Sequence, residues 1–245
     1  MAFRSYRSTL NLGFGSGMSP AVKNLLILNV SAFVLSYLLQ AAGYGGIVRL
    51  GMLTPYYVTH LFFVWQLVTY LFLHAGFFHI LFNMFALWMF GCELERNWGT
   101  RRFLFYYFLC GIGSGVTVVL SSPSALTSTL GASGAIYGLL LAYGLLFPDR
   151  MIYLYFLIPV RAKYFVMIMG GIEFLSALST PGSLVSHVAH LGGMVFGLLY
   201  LRGRPLYFDL RNNYYHWRRA RLQREFRVYQ SKRDRDEKPG PPWIN

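Results

Sequence analysis

The chain has 245 residues, of which 55% are hydrophobic, 18% aromatic and only 13% charged, and its mean hydropathy is +0.43. This composition excludes an ordinary soluble domain and indicates an integral membrane protein. The net charge of +13 would also suit a nucleic-acid-binding protein, but 12 Lys and Arg against 5 Asp and Glu lie from Arg202 onward, directly after an apolar segment. We therefore expect this charge to face the lipid bilayer, with no nucleic-acid partner.

Six apolar segments along the chain suit membrane spans, since a bilayer core needs about 20 helical residues. They lie at 22–42, 78–94, 103–120, 132–147, 163–179 and 186–202. The first is too long for a signal peptide, so we expect a retained helix after a polar lead over residues 1–20. Residues 43–77 are interrupted by Gly, Pro55 and polar residues but rich in aromatic ones, which predicts a long loop lying partly in the membrane.

Basic residues alternate between the two sides of the predicted spans. Arg and Lys precede the first span and occur between the second and third, between the fourth and fifth and after the sixth, whereas the opposite connections contain only Arg49. By the positive-inside rule, both termini are predicted to be cytoplasmic. We expect a multi-pass protein of a bacterial inner or plasma membrane, and an organellar membrane stays open as an alternative. Cys92 and Cys110 lie in or beside apolar segments, as buried thiols do.

Small residues recur four apart in two of the spans. The fourth contains Gly134, Gly138 and Ala142, and the sixth contains Ala189, Gly193 and Gly197. Such faces let helix backbones approach closely in lipid, so these two helices are predicted to pack side by side.

The basic tail, residues 204–245, follows the predicted membrane domain of residues 21–203. Leu222, Phe226 and Tyr229 are spaced four and three apart among arginines, which predicts an amphipathic helix on the inner membrane surface. Residues 231–245 are charged and proline-rich and are predicted to be disordered.

Several polar residues fall at the outer ends of three predicted spans. They are His74, His79 and Asn83 at the second span, Ser133 at the fourth, and His187 and His190 at the sixth. A serine hydroxyl becomes nucleophilic when a nearby histidine takes its proton. The small-residue faces would draw His190 toward Ser133, and the helix N-terminus at Ser133 offers amide groups to an oxyanion. His79 and Asn83 share a helix face and could add donors.

An acidic third member of such a site is not expected. Glu173, inside the fifth span, is predicted to cap or pair near the inner or middle depth, away from the outer site. The expected site is therefore a Ser–His dyad, and Tyr137, one turn after Ser133, could hold the imidazole by stacking.

Three other interpretations stay open at this point. The segment Gly131-Ala132-Ser133-Gly134 taken alone suits helix packing as well as catalysis. A pore or transporter could use the same histidines and Asn83, but would need polar groups through the full depth of the membrane. A non-catalytic membrane chaperone or degradation adaptor could bind exposed helices without cutting them.

The motifs together resemble the rhomboid intramembrane serine proteases. The resemblance covers about residues 20–203 and rests on His74-x-x-x-x-His79 with Asn83, on Gly131-Ala132-Ser133-Gly134 with Tyr137, and on Ala189-His190-Leu191-Gly192-Gly193. The segment Gly91–Gly99, with Glu95-Arg96, is also similar to that family's segment after the second helix. One departure is Trp65-Gln66, where many relatives have Trp-Arg, so the anchoring of the first loop should differ.

The resemblance implies an all-α fold of six transmembrane helices with a half-embedded first loop, and a fifth helix that moves to admit a substrate. It implies Ser133 as nucleophile, His190 as general base and acid, and His79, Asn83 and the Ser133 amide as the oxyanion hole. His74, Tyr137, Gly131, Gly134 and Gly193 would support this site. The implied substrates are transmembrane proteins, cleaved near the outer membrane boundary, without a metal or cofactor. The sequence does not indicate an oligomeric state.

Overall fold

The computed structural model of the chain describes residues 17–154, 158–179 and 187–203. The chain divides into two compact units, residues 1–199 and 200–245, and of the second only the helical residues 200–203 are described. Most of the polar lead, the loop after the fifth predicted span and the tail with Leu222, Phe226 and Tyr229 lie outside the described residues. The predictions made for them stay predictions.

Helices make up most of the described residues, and all six predicted apolar segments are confirmed as helical. In chain order the helices are α1 (Pro20–Ala41), α2 (Gly45–Gly51), α3 (Pro55–His60), α4 (Gln66–Thr69), α5 (Phe77–Trp98), α6 (Thr100–Ser121), α7 (Ser133–Leu146), α8 (Ala162–Ser179) and α9 (residues 187–203). A 3₁₀ turn, Tyr70–Phe72, precedes α5, and a π-helical stretch, Leu87–Gly91, interrupts it.

Three of these helices, α1, α5 and α6, are long and apolar enough to cross a membrane, and α7 is a shorter apolar helix. Large apolar side chains on α1 and α5 are exposed, among them Leu35 and Phe78. Such side chains would be unfavourable in water but suit the acyl chains of a bilayer. The chain is therefore an integral membrane protein, while the count of six spans remains a prediction.

The start of α1 is held by a carboxylate from the end of α5. Glu95 is buried and accepts hydrogen bonds from Ser19 Oγ (2.5 Å), from the backbone amides of Ala21 (2.9 Å) and Val22 (3.0 Å), and from Thr100 Oγ1 (2.6 Å). Amide groups in the first turn of a helix have no intrahelical partner, and the helix dipole favours an anion there. Glu95 thus fixes α1 to the junction of α5 and α6.

The connection between α1 and α5 pairs with the loop that leads into α7. Leu53 and Thr129 exchange two backbone hydrogen bonds of 2.9 and 2.8 Å. Gln66, at the position where the resemblance predicts a departure, is fully buried and anchors this connection itself. Its Oε1 accepts from the Thr54 amide at 3.0 Å, and its Nε2 donates to the Leu50 carbonyl at 3.1 Å. A neutral amide satisfies these backbone groups, so no arginine is needed to hold the loop.

A short antiparallel hairpin joins α7 to α8, which the all-α prediction did not include. Its strands are β1 (Met151–Leu154) and β2 (Ile158–Arg161), with Met151 opposite Arg161. The sequence shows only a helix end at Pro148 and Asp149, because four-residue strands give too short a pattern to be read.

Helix α7 lies close to α9, as the small-residue faces predict. A Cβ atom built on Gly193 would come within 1.9 Å of the Gly134 carbonyl oxygen, and one built on Gly138 within 3.2 Å of the Gly193 carbonyl oxygen. Only glycine permits this approach of two backbones. The predicted packing of these two helices is confirmed, and it brings the first turns of α7 and α9 together.

Candidate active site

Ser133 is the first residue of α7 and follows a loop with a glycine at positive φ. Gly131 has a φ of +121°, a conformation that side chains rarely adopt, and its amide donates to the Tyr70 carbonyl at 2.9 Å. The Tyr70 hydroxyl in turn donates to the Gly111 carbonyl on α6 at 2.6 Å. These bonds fix where the chain turns into α7 and therefore where the Ser133 side chain begins.

His190, on α9, faces Ser133 directly. Its Nε2 lies 2.8 Å from Ser133 Oγ, which is the hydrogen-bond distance that a serine nucleophile and its base would require. The Tyr137 ring, one turn after Ser133, stacks on the imidazole with 4.3 Å between ring centroids and 13° between planes. Ser133 and His190 thus meet across the close α7–α9 contact, and the stacking expected of Tyr137 is present.

Glu173, on α8, also reaches this site, and the expectation that it lies apart was wrong. Its Oε1 is 3.0 Å from His190 Nδ1, and its Oε2 is 2.6 Å from His187 Nδ1. The Tyr137 hydroxyl donates to the same carboxylate in a very short hydrogen bond. Only 8% of the Glu173 side chain is exposed. The order of groups is therefore serine, imidazole, carboxylate, with a tyrosine and a second histidine on the acid.

The error came from assigning depth by position along straight spans. The loop before Ser133 is bonded to Tyr70, whose hydroxyl donates to Gly111 on α6, so tertiary contacts fix the point at which α7 begins. Tyr137, one turn further along α7, then meets the middle of α8. The missed signal was available: His187 and His190 share a helix face at i and i+3, and an intramembrane acid needs a partner.

The predicted oxyanion residues lie beside the loop that precedes Ser133. A Cβ atom built on Gly131 would be 2.8 Å from Nε2 of His79 and 3.9 Å from Nδ2 of Asn83. Asn83 Nδ2 donates to the His79 carbonyl at 3.0 Å, one turn back on α5, and the Ala75 amide contacts His79 Nδ1 at 3.4 Å. The side chains of His79 and Asn83 therefore lie next to the backbone that leads into Ser133.

His74 lies just before α5 and packs edge-on against His79, with 5.1 Å between ring centroids. It is buried, and burial, aided by the nearby His79, lowers the pKa of His74 to about 4. His74 is therefore neutral at physiological pH and supports His79 by packing.

Within the described part of the chain, one group of side chains has the composition of a metal site. Ligand atoms of Glu173, His187 and His190 lie within 4.8 Å of one another. However, the carboxylate accepts a hydrogen bond from the Tyr137 hydroxyl and lies at hydrogen-bond distance from His187 Nδ1, while His190 Nδ1 is 3.0 Å from it. A hydrogen-bonded cluster accounts for this arrangement without a cation.

A family model described as the Rhomboid domain matches residues 62–204, more than half of the chain. The chain belongs to the rhomboid family. The match contains α5 to α9 and every site residue described above, whereas α1 precedes it. The family assignment from sequence motifs is thereby confirmed.

Several curated rhomboid proteins are similar to this chain. RHOMBOID-like protein 1 of Arabidopsis thaliana is 34% identical over 174 residues, 67% of this chain and 42% of that protein. Rhomboid protease GluP of Bacillus subtilis is 35% identical over 135 residues, 54% of this chain and 24% of that protein. Rhomboid protease GlpG of Haemophilus influenzae is 29% identical over 170 residues, 68% and 83% of the two chains. The chain thus spans less than half the length of the first two relatives.

Proposed function

We propose that this chain is a serine endopeptidase that hydrolyses peptide bonds in or near transmembrane segments of other membrane proteins. The proposal is carried by the 2.8 Å approach of His190 Nε2 to Ser133 Oγ at the start of an apolar helix. A serine hydroxyl is a poor nucleophile until a base within hydrogen-bond reach takes its proton. Membership of the rhomboid family, in which two of the relatives above are named proteases, supports the same activity.

In the proposed reaction, Ser133 Oγ attacks the carbonyl carbon of the scissile peptide bond while its proton passes to His190 Nε2. The C–N bond then breaks, His190 gives that proton to the leaving amine, and the acyl group stays on Ser133 as an ester. A water molecule that loses its proton to His190 hydrolyses this ester and restores the serine. The steps balance with water alone, so the proposal includes no metal or cofactor.

The negative oxygen of the tetrahedral intermediate needs hydrogen-bond donors. We assign this role to the Ser133 amide, at the positive end of α7, and to the side chains of His79 and Asn83, which border Gly131. Removing one such donor typically lowers kcat by about 10²- to 10³-fold. Asn83→Ala is the variant of choice, because Asn83 has no part in the proton transfers.

The proposed substrate is a transmembrane helix that has partly unwound. A helix satisfies its own backbone hydrogen bonds, so its carbonyl can reach Ser133 only where those bonds break. Substrates with glycine or proline near the outer membrane boundary should therefore be preferred.

The proposal also includes an organisation of the whole chain. Residues 21–203 would form a six-span membrane domain between a cytoplasmic lead, residues 1–20, and a basic cytoplasmic tail, residues 204–245. The alternating basic residues support this orientation.

The test is cleavage of a single-span substrate by the purified protein in detergent, comparing wild type with Ser133→Ala and His190→Ala. We expect wild type to cut near the outer boundary and both variants to be inactive while keeping the thermal unfolding temperature of a folded protein. Equal cutting by all three would contradict the proposal. Binding of the substrate without cutting by wild type would favour a non-catalytic adaptor instead.

A further inference from the structure

Glu173 lies on the opposite side of the His190 ring from Ser133. Ser133 Oγ is 2.8 Å from Nε2, and Glu173 Oε1 is 3.0 Å from Nδ1. This is the order in which a carboxylate supports a general base. We propose that Glu173 is a positioning residue, an inference that rests on the proposed function. Its carboxylate keeps a proton on His190 Nδ1 and stabilises the ring when Nε2 takes the serine proton.

The tautomer of His190 decides whether it can act as a base. A neutral imidazole has one N–H donor and one acceptor nitrogen. A carboxylate accepts only, so the nitrogen beside Glu173 is the one that carries hydrogen. Nε2 is then left with its lone pair toward the Ser133 hydroxyl. Without Glu173, the opposite tautomer would place a second donor against Ser133 and remove the base.

The contact between Glu173 and His190 should strengthen during the reaction. In the resting structure His190 Nδ1 lies 3.0 Å from Glu173 Oε1 without the geometry of a full hydrogen bond. Once His190 carries the serine proton, the ring is positively charged and attracts the carboxylate more strongly. An interaction that is stronger in the transition state than in the ground state raises kcat rather than lowering KM.

The other partners of Glu173 keep the carboxylate in place and charged. The Tyr137 hydroxyl donates to Oε1, and His187 Nδ1 lies 2.6 Å from Oε2. Tyr137 also stacks on His190 and lies one turn after Ser133, so it ties the acid, the base and the nucleophile to one another. A buried carboxylate with several hydrogen-bond donors can stay ionised where an isolated one would not.

The chain offers a matched control in a second glutamate of similar arrangement. Glu93 accepts a hydrogen bond of 2.9 Å from the Tyr143 hydroxyl and pairs with Arg150 at 2.9 Å. It thus also joins a tyrosine of α7 to a basic side chain, but Tyr143 lies ten residues after Ser133. Glu93→Gln removes the same charge without touching the proposed site.

The experiment measures kcat and KM for cleavage of a single-span substrate by full-length wild type, Glu173→Gln, Glu173→Asp and Glu93→Gln, all in detergent, with and without EDTA. We expect Glu173→Gln to lower kcat about 10- to 100-fold, with KM changed less than twofold. This is less than the roughly 10⁴-fold loss for a serine-protease triad without its acid, because Tyr137 still orients the ring. Glu173→Asp should recover part of kcat, and Glu93→Gln should match wild type.

A second readout does not depend on the choice of substrate. A fluorophosphonate reacts with an activated serine, so the rate of Ser133 labelling reports on His190 directly. We expect Glu173→Gln to be labelled more slowly than wild type and Glu93→Gln at the wild-type rate, with Ser133→Ala unlabelled. If wild type labels but cuts nothing, the endopeptidase proposal fails, while slower labelling of Glu173→Gln still supports the positioning role.

Several results would overturn the inference. Glu173→Gln could keep the kcat and labelling rate of wild type, or lose both only in proportion to its folded fraction. EDTA could inhibit wild type but leave Glu173→Gln unchanged, which would make Glu173, His187 and His190 metal ligands. Absence of both Ser133 labelling and cleavage in wild type would remove both this inference and the proposed function.

Discussion

Helix α7 has a tyrosine–glutamate cluster toward each end, here called the Ser133 end and the Arg150 end, and the two clusters differ in the basic side chains that complete them. At one end Tyr143 donates to Glu93, which pairs with Arg150. At the other end Tyr137 donates to Glu173, which contacts two histidines. An arginine is always charged, whereas an imidazole gains and loses a proton near neutral pH. The same hydrogen-bond pattern therefore suits structure at one end and proton transfer at the other.

Exposure separates the two clusters further. The side chains of Arg150 and Glu93 are 49% and 29% exposed, whereas those of His190 and Glu173 are 17% and 8% exposed. Exposed ion pairs are screened by water and salt and contribute little to stability. The contribution of a buried pair to stability depends on its geometry and on complete hydrogen bonding. Changes at the Ser133 end should therefore have large effects on activity, and changes at the Arg150 end small effects on stability.

Apart from replacing Ser133 or His190 themselves, the largest effect is expected from Gly193→Ala, which acts on the Ser133 end. The new Cβ atom would lie 1.9 Å from the Gly134 carbonyl oxygen, so α7 and α9 must move apart. Because a misplacement of about 1 Å can cost roughly 10²-fold in rate, we expect kcat to fall at least about 100-fold. The value of kcat is measured from cleavage of a single-span substrate by the folded variant.

Gly144→Ala is the control at the other end of α7. Its Cβ atom would meet Cγ2 of Val166 on α8 at 2.6 Å, far from Ser133 along the helix. This variant should lower the unfolding temperature but keep kcat within a few-fold of wild type. Equal losses of kcat in both variants would mean that the α7–α9 contact has no special part in placing His190.

The contrast between the two ends also explains what the sequence could predict. The helices follow from apolar runs, since length and hydropathy alone define a candidate span. The meeting of Ser133 with His190 follows from two motifs and two glycine faces. The meeting of Glu173 with Tyr137 and His190 depends on how α8 packs beside α7 and α9, which is a tertiary contact that no periodicity encodes.

The Arg150 end was less predictable from the sequence for a similar reason. The hairpin between α7 and α8 places Arg150 beside Glu93, but its strands are four residues long and carry no clear alternation.

Gln66, in the connection between α1 and α5, is a third position where the sequence predicted less than the structure shows. The sequence indicated only a departure from the family at this position, and the structure shows that the amide binds the backbone of the connection by itself.

Acid should destabilise the Ser133 end through His74. The pKa of His74 is lowered from 6.5 to about 4, mainly by burial, so the unfolded chain binds the proton more readily than the folded one. Stability is then fully present above pH 6.5 and is lost as the pH falls toward 4. Between pH 7 and pH 5 we expect a loss of about 2 kcal/mol, measured by unfolding in detergent.

The control for this prediction is His74→Phe, which keeps an aromatic ring but cannot titrate. The pH dependence of unfolding between pH 7 and pH 5 should become shallower in this variant than in wild type. If wild type and His74→Phe lose equal stability over this range, the acid sensitivity comes from other groups.

Double-mutant cycles on the two tyrosine–glutamate pairs should show coupling in different measured properties, the free energy of unfolding for one pair and also kcat for the other. For Tyr143→Phe with Glu93→Gln, we expect a coupling of about 1 kcal/mol in the free energy of unfolding and none in kcat. For Tyr137→Phe with Glu173→Gln, we expect the coupling to appear in kcat as well. A coupling in kcat at the Glu93 pair would contradict the division of roles between the two ends.

The smallest effect is expected from salt, and it should act only on the Arg150 end. Arg150 and Glu93 are partly exposed, and at 1 M salt the screening length falls to about 3 Å, so their 2.9 Å contact should weaken. Glu93→Gln should therefore cost less than about 1 kcal/mol at low salt and almost nothing at 1 M, measured as the difference in unfolding free energy from wild type. The buried contact between Glu173 and His190 is shielded from ions, so the kcat ratio of wild type to Glu173→Gln should stay the same at both salt concentrations. A ratio that falls toward one at high salt would show that ions reach this pair, and the two clusters would then differ in position alone.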